Sequence, residues 1–288
     1  MSDILSFSKM HGCGNDFIVV NALESAVQTQ LSKVSLSSLA KRVCNRQFGI
    51  GADGLILLLP SKTEDCRMQI INSDGSEPEM CGNGIRCLAK FAQDEGLIAS
   101  DDFSIETLAG PIIPSIISKE GAVSMVKVDM GAPILERSSI PVAGEIPGPV
   151  INEAITVLSQ DFHFTGVSMG NPHAVVFVDQ LDTLDLAVLG PLFESHEAFP
   201  EKVNTEFVQV YSRAHAAMKV WERGAGATLA CGTGACAILV AGVLTDRLDR
   251  EATISLPGGD LKIDWAGDGA SVFMTGPAEQ VFSGSYTF

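Results

Sequence analysis

Met80-Cys81-Gly82-Asn83-Gly84-Ile85 and Ala230-Cys231-Gly232-Thr233-Gly234-Ala235 are two versions of one phrase, a cysteine followed by Gly-x-Gly and an apolar stretch. Cys231 follows Cys81 by 150 residues, and the same offset lays Met68-Gln69-Ile70-Ile71 over Met218-Lys219-Val220-Trp221 without a gap. A second echo sets Gly14-Asn15-Asp16-Phe17-Ile18-Val19-Val20 against Gly170-Asn171-Pro172-His173-Ala174-Val175-Val176 at an offset of 156. Loop insertions in one copy account for the drift. The chain therefore reads as a duplication, with one thiol at an equivalent place in each half and both thiols expected to serve one site.

Within each half the glycine run separates a turn-rich segment from a stretch of helical composition, Ile85 to Ala92 and Ala235 to Leu244. The second is apolar almost all round, which predicts a buried central helix. The β-branched ends of the second echo predict strands, as do Gly54 to Leu59, Phe207 to Val210 and Ala252 to Leu256. Gly131 to Val150 is the richest in Pro and Gly, so the lobe boundary is placed near Met130. Short strands alternating with turns, and few long helices, favour α+β over a doubly wound sheet.

With 288 residues, 46% of them hydrophobic, the chain can bury a substantial core, and its length favours two domains. Its formal charge of −16 argues against binding a phosphate backbone, so nucleic acid is not an expected partner. The longest apolar run, Ala235 to Val240 continued by Val243-Leu244, is too short to cross a bilayer. Met1-Ser2-Asp3 leads into Ile4 to Phe7 without a basic head, so no signal peptide is expected and the compartment is read as cytoplasmic. Seven cysteines in such a compartment are expected to be reduced.

Two glycine motifs point elsewhere and fail on context. Gly49-Ile50-Gly51-Ala52-Asp53-Gly54 has dinucleotide-fingerprint spacing, but that motif needs a strand before it and a helix after it, and here the order is reversed. Gly166-Val167-Ser168-Met169-Gly170 has nucleophile-elbow spacing, yet Asn171-Pro172 leads into a strand rather than a helix. The Cys81 to Cys87 and Cys231 to Cys236 gaps are not those of zinc knuckles, so no metal is expected. Cys13, Cys44, Cys66, Cys87 and Cys236 read as small core side chains.

A helix start is a positive pole, so Cys81 and Cys231 are expected to lean towards thiolate. A terminus contributes at most about 2 kcal/mol, which moves a thiol by about one and a half pKa units, so a neighbouring base must share the task. His173 and Glu222 are the candidates; the plainer readings are a structural histidine and a Glu222-Arg223 salt bridge. Two near-equivalent thiols suit inversion of a stereocentre through a planar carbanion. One face must lose a proton while the other receives one, whereas nucleophilic catalysis needs a single thiol. The helix poles could also hold a substrate carboxylate.

These segments resemble diaminopimelate epimerases along essentially the whole chain. The resemblance is carried by Phe7-Ser8-Lys9-Met10-His11-Gly12 with Gly14-Asn15-Asp16-Phe17, Asn72-Ser73-Asp74-Gly75-Ser76, Met80 to Gly84 and Arg86-Cys87. It continues in Met169-Gly170-Asn171-Pro172-His173, Val203-Asn204, Trp221-Glu222-Arg223-Gly224 and Ala230 to Ala235. It implies interconversion of LL- and meso-2,6-diaminopimelate, a step towards lysine and peptidoglycan, by two bases without pyridoxal phosphate or any other cofactor. Cys81 and Cys231 would be the catalytic pair and His173 and Glu222 would tune them. Asn15, Asn72, Gly82, Asn83, Asn171, Asn204, Glu222, Arg223, Gly232 and Thr233 would contact substrate. Amide groups and a guanidinium suit its two carboxylates and two ammonium groups.

The family fold implies two pseudo-symmetric lobes, each a curved mixed β-sheet wrapped around a central helix. Residues 1–129 with 277–288 would form the lobe of Cys81, and 130–276 that of Cys231. A homodimer is implied, and no membrane partner. The chain departs from many members at Ala227, where Glu is frequent, at Gly54, where some have Gln, and at Phe282, where some carry a dimer-contact Tyr. A proline or hydroxyproline racemase-like enzyme is the alternative within this architecture, and a thiol redox or metal-binding module the alternative outside it.

Overall fold

The structure, a computed structural model, describes residues 4–98, 100, 102–119 and 122–288. Met1-Ser2-Asp3, which bear on the expectation about a signal peptide, lie outside them. The chain divides into two compact units, one running to Val128 and resuming at Gly276–Phe288, the other Asp129–Thr275.

The first unit is built on a seven-stranded sheet. Its strands are β1 (Ile4–Gly12), β2 (Asn15–Asn21), β3 (Gly54–Leu59), β4 (Cys66–Asn72), β5 (Ile105–Thr107), β6 (Gly110–Ile112) and β18 (Glu279–Thr287). Their order is β18-β1-β2-β3-β4-β5-β6. The β2–β3 and β4–β5 pairs are parallel and the others antiparallel, so the sheet is mixed. Buried at nearly every position, Gly-Leu-Ile-Leu-Leu-Leu of β3 is the central strand that an unbroken apolar run implies. Helix α3 (Gly82–Asp94) packs against β1, β2, β3, β4 and β18. The short helices α1 (Ser25–Leu31) and α2 (Leu36–Val43) cover a second layer of core that includes Leu39, Val43, Leu55 and Leu57. A hairpin of β7 (Ser115–Lys119) and β8 (Ala122–Asp129) ends the stretch.

The second unit repeats this grammar. Its strands are β9 (Glu153–Val157), β10 (Gln160–Ser168), β11 (Pro172–Phe177), β12 (Asn204–Ser212), β13 (His215–Glu222), β14 (Gly226–Ala227), β15 (Glu251–Leu256), β16 (Gly259–Trp265) and β17 (Val272–Gly276). They follow the order β17-β16-β15-β13-β12-β11-β10-β9, with β14 paired to β13. Here β11–β12 and β13–β15 are parallel, matching β2–β3 and β4–β5. Helix α5 (Gly232–Leu244) is buried from Gly234 to Gly242, as its all-round apolar composition requires. It packs on β10, β11, β12, β15 and β16. Helix α4 (Leu186–Glu194) brings Leu189 and Phe193 to a separate cluster with Phe162 and Phe207.

The two rejected glycine motifs fall where the sequence placed them. Gly49 to Gly51 is the turn from α2 into β3, and Met169-Gly170-Asn171 is the turn between β10 and β11. No helix among the described residues is long and apolar enough to cross a membrane.

Candidate active site

Each motif cysteine is the residue that caps its helix. Cys81 precedes α3 in extended conformation (φ −143°, ψ 113°) and its Sγ accepts from the Gly84 amide at 3.5 Å. Cys231 precedes α5 in the same way (φ −126°, ψ 103°), with Gly234 N at 3.4 Å from Sγ. Both sulfurs thus lie at the positive ends of their helices, where the first amides have no intrahelical acceptor. The glycine three places on leaves room for a neighbouring side chain. A Cβ at Gly84 would come within 3.0 Å of Ile56, and one at Gly234 within 2.7 Å of Glu206.

In the first unit Asn15, Asn83 and Cys81 come together. Asn15 Oδ1 accepts from Asn83 Nδ2 at 3.0 Å and faces the Cys81 sulfur at 4.0 Å. Its orientation is fixed from behind, because Asn15 Nδ2 donates to Asp53 Oδ2 at 2.7 Å. Arg46 bridges Asp53 and Asp16, and Lys9 donates to Asp16 and to the Gly51 carbonyl. Asn72 ends β4 opposite Gly54, with its amide on Ser76 Oγ at 3.0 Å. Gly82 is the first residue of α3. The Lys9, Asp16, Arg46 and Asp53 network escaped the sequence reading. Its members are far apart in the chain, and only the charged residues flanking Asn15 and Gly54 hinted at it.

Burial alone would raise the Asp16 carboxyl, but hydrogen bonds from Arg46 and Lys9 outweigh it and hold it down at about 2. A depressed carboxyl stabilises the fold above its unfolded value of 3.8 and loses that contribution as pH falls towards about 2. Asp16→Asn is therefore expected to cost about 2 kcal/mol at neutral pH and to flatten the acid limb of stability, read by urea unfolding between pH 7 and 2. An unaltered acid limb would show that the network stores no such energy.

In the second unit the cysteine has a denser polar setting. Thr233 Oγ1 lies 3.5 Å from Cys231 Sγ, and Gly232 is the first residue of α5. The Glu222 carboxylate accepts from Thr228 Oγ1 and from the Cys231 thiol. Arg223 is exposed and donates to the Glu201 carbonyl at 3.2 Å, so the simple Glu222-Arg223 bridge is not what forms. Asn204 is buried, with Nδ2 on the Pro172 carbonyl at 2.7 Å and Oδ1 accepting the Arg223 amide at 2.9 Å. It thereby fixes the backbone between Glu222 and Arg223. His173 is fully buried, with Nε2 3.0 Å from Asn171 Oδ1 and Nδ1 2.7 Å from Glu206 Oε1.

Burial raises the Glu222 carboxyl despite the Thr228 bond. The expectation that the helix pole draws both thiols towards thiolate is reversed at Cys231. Burial first, then the carboxylates of Glu222 and Glu206, push this thiol well above its ordinary value. A pole worth at most about 2 kcal/mol is overridden by desolvation and two like charges. Cys44, Cys66 and Cys87 are pushed up to about 11, 12 and 12, chiefly by burial, consistent with a core role.

His173, Glu206 and Cys231 place three ligand-type atoms within 4.8 Å of one another. The His173 and Glu206 atoms already bond each other, so the set is a hydrogen-bonded cluster rather than a built metal centre.

The model of the family described as diaminopimelate epimerase matches residues 7–136 and 165–281. The diaminopimelate epimerase of Pelotomaculum thermopropionicum is 50% identical over 284 residues, spanning 99% of each chain. That of Moorella thermoacetica is 52% identical over 282 residues, 98% of this chain and 99% of the relative. Among solved structures, a hydroxyproline epimerase from Agrobacterium vitis superposes with a TM-score of 0.71 at 15% identity, covering 100% of this chain and 94% of that one. A Bacillus anthracis protein of the PhzF phenazine-biosynthesis family gives 0.68 at 16%, covering 99% of this chain and 100% of that one. These two share the fold, and the full-length likenesses near half identity go further: the chain belongs to the diaminopimelate epimerase family.

Proposed function

We propose that the protein, a member of the diaminopimelate epimerase family, interconverts LL- and meso-2,6-diaminopimelate, a step towards lysine, with Cys81 and Cys231 as the two acid/base groups. The observation that carries this reading is that each thiol caps the helix of its unit through the same Cys-Gly-x-Gly turn. Inversion at an α-carbon needs a thiolate on one face and a thiol on the other, and their roles exchange with direction. Protons move between sulfur and carbon, so the reaction needs no cofactor to balance it.

The first-turn amides at Gly82, Asn83, Gly232 and Thr233 suit the α-carboxylate, and they stabilise the charge that grows on it as the proton leaves. Asn15, Asn72, Asn171 and Asn204 supply amide oxygens and nitrogens for the remaining polar groups. Arg223, exposed beside Asn204, suits a carboxylate of the distal amino acid. His173 and Glu222 tune Cys231.

A homodimer is part of the reading. β18 is an edge strand of its sheet and leaves Val281 and Phe282 57% and 48% exposed, an apolar strip suited to a second copy. A cytoplasmic location accords with the reduced cysteines the chemistry requires.

The test is incubation of purified protein with LL-diaminopimelate in heavy water and no added cofactor. Deuterium should appear at the α-carbon of the inverted centre, with proline left unchanged. Absence of exchange would defeat the proposal, and exchange into proline alone would favour a racemase of the hydroxyproline type.

A further inference from the structure

The two units build the surroundings of their cysteines from different chemistry on the same backbone plan. The parallel pairs β2–β3 and β11–β12 register Phe17 with Gly54 and His173 with Asn204. Two residues further along the second strand of each pair stand Ile56 and Glu206. The helix starts confirm the equivalence, since a Cβ at Gly84 would meet Ile56 Cδ1 and one at Gly234 would meet Glu206 Oε1. Phe17 and Ile56 thus occupy in one unit the places that His173 and Glu206 occupy in the other.

The fold evidently accepts hydrocarbon at both places, so a carboxylate there is not needed to build it. Glu206 is 0% exposed, and its Oε2 has no hydrogen-bond partner among the described residues. Keeping a half-satisfied carboxylate buried is costly, and the imidazole at 2.7 Å offsets only part of that cost. A Cβ at Gly234 would also lie 3.2 Å from Cys231 Sγ, and the carboxylate oxygen and the sulfur stand within 4.8 Å of each other beside the first turn of α5.

We propose that Glu206 is a positioning residue that makes the two thiols inequivalent in the free enzyme: holding His173 and standing behind the α5 cap, it leaves Cys231 as the protonated member of the pair before substrate binds and Cys81 as the thiolate. This rests on the two-thiol reading given above. The groups acting on Cys231 are Glu222 from β13 and Glu206 from β12, with the Thr233 hydroxyl and the Gly234 amide on α5 itself, while His173 from β11 stands within 4.8 Å of the sulfur and holds Glu206. The ionisable residues of β10, β15 and β16, the other strands packed on α5, are Asp161, His163, Glu251, Asp260, Lys262 and Asp264, all exposed or half-exposed. Burial and the two carboxylates raise the Cys231 thiol, the direction the proposal requires.

The test is peptide-resolved alkylation of the full chain by iodoacetamide across pH, with EDTA present. In Glu206→Gln, which keeps the side-chain volume, the Cys231 midpoint should fall by about one pH unit, about tenfold more reaction near neutrality, while the Cys81 midpoint stays in place. An unmoved or raised Cys231 midpoint in a variant that melts like the parent would overturn the proposal. Should the variant fail to fold, the parent chain decides. A Cys231 midpoint above that of Cys81 supports the assignment, and one at or below it refutes the assignment. Because alkylation needs no substrate, a shifted midpoint in a protein inert towards diaminopimelate would sink the epimerase reading alone. Turnover with an unmoved midpoint would sink only the role of Glu206.

Discussion

Cys81→Ala and Cys231→Ala should each lower epimerisation by about a thousandfold or more, since each removes a proton-transfer group outright and general acid–base groups contribute roughly 10² to 10⁴. The loss is not an unfolding effect. Each sulfur accepts one helix amide at 3.4 to 3.5 Å, and losing a cap typically costs about 1 kcal/mol. Circular dichroism and melting should therefore stay close to the parent while turnover of either stereoisomer disappears. Near-normal turnover in either variant would remove that cysteine from the reaction, and with it the two-thiol mechanism.

The largest stability effect is expected at Arg86. This side chain is 0% exposed, yet it donates to the Pro277 carbonyl at 3.1 Å and lies 3.5 Å from the Gly82 carbonyl, with Cys13 Sγ at 3.9 Å. It ties the point where the chain returns to the first unit, just before β18, to the helix that carries Cys81. Gly12 makes room for this clamp, since a Cβ there would come within 2.8 Å of the guanidinium and displace it. Arg86→Met fills most of the volume but takes the buried guanidinium donor away from the Pro277 carbonyl, so a loss of about 3 kcal/mol is expected, lowering the melting temperature by roughly 6 to 12 °C. A melt within a degree or two of the parent would show that the clamp is dispensable and that β18 holds the chain by its ladder alone.

Much of the site was legible because it is local. Gly-x-Gly after cysteine permits a tight entry into a helix, so both caps could be placed from Cys81 and Cys231 alone. The helices extend past the sequence reading, since Gly82 to Gly84 and Gly232 to Gly234 belong to α3 and α5 rather than to the turns. Propensity penalises glycine there, but at the third position a Cβ would crowd Ile56 or Glu206, and tertiary packing outweighs the local preference. The short helices α1 and α4 were not anticipated, since neither carries a long apolar period.

The sequence by itself determined the duplication, the two thiol-bearing turns and the family, because these rest on spacing between neighbours along the chain. Tertiary structure alone decided the environment of each thiol. Asp53 reaches Asn15 across 38 residues and Glu206 reaches His173 across 33, pairings that no local pattern encodes. The protonation preference of Cys231 follows from burial and converging carboxylates, quantities that exist only once distant strands have excluded water together.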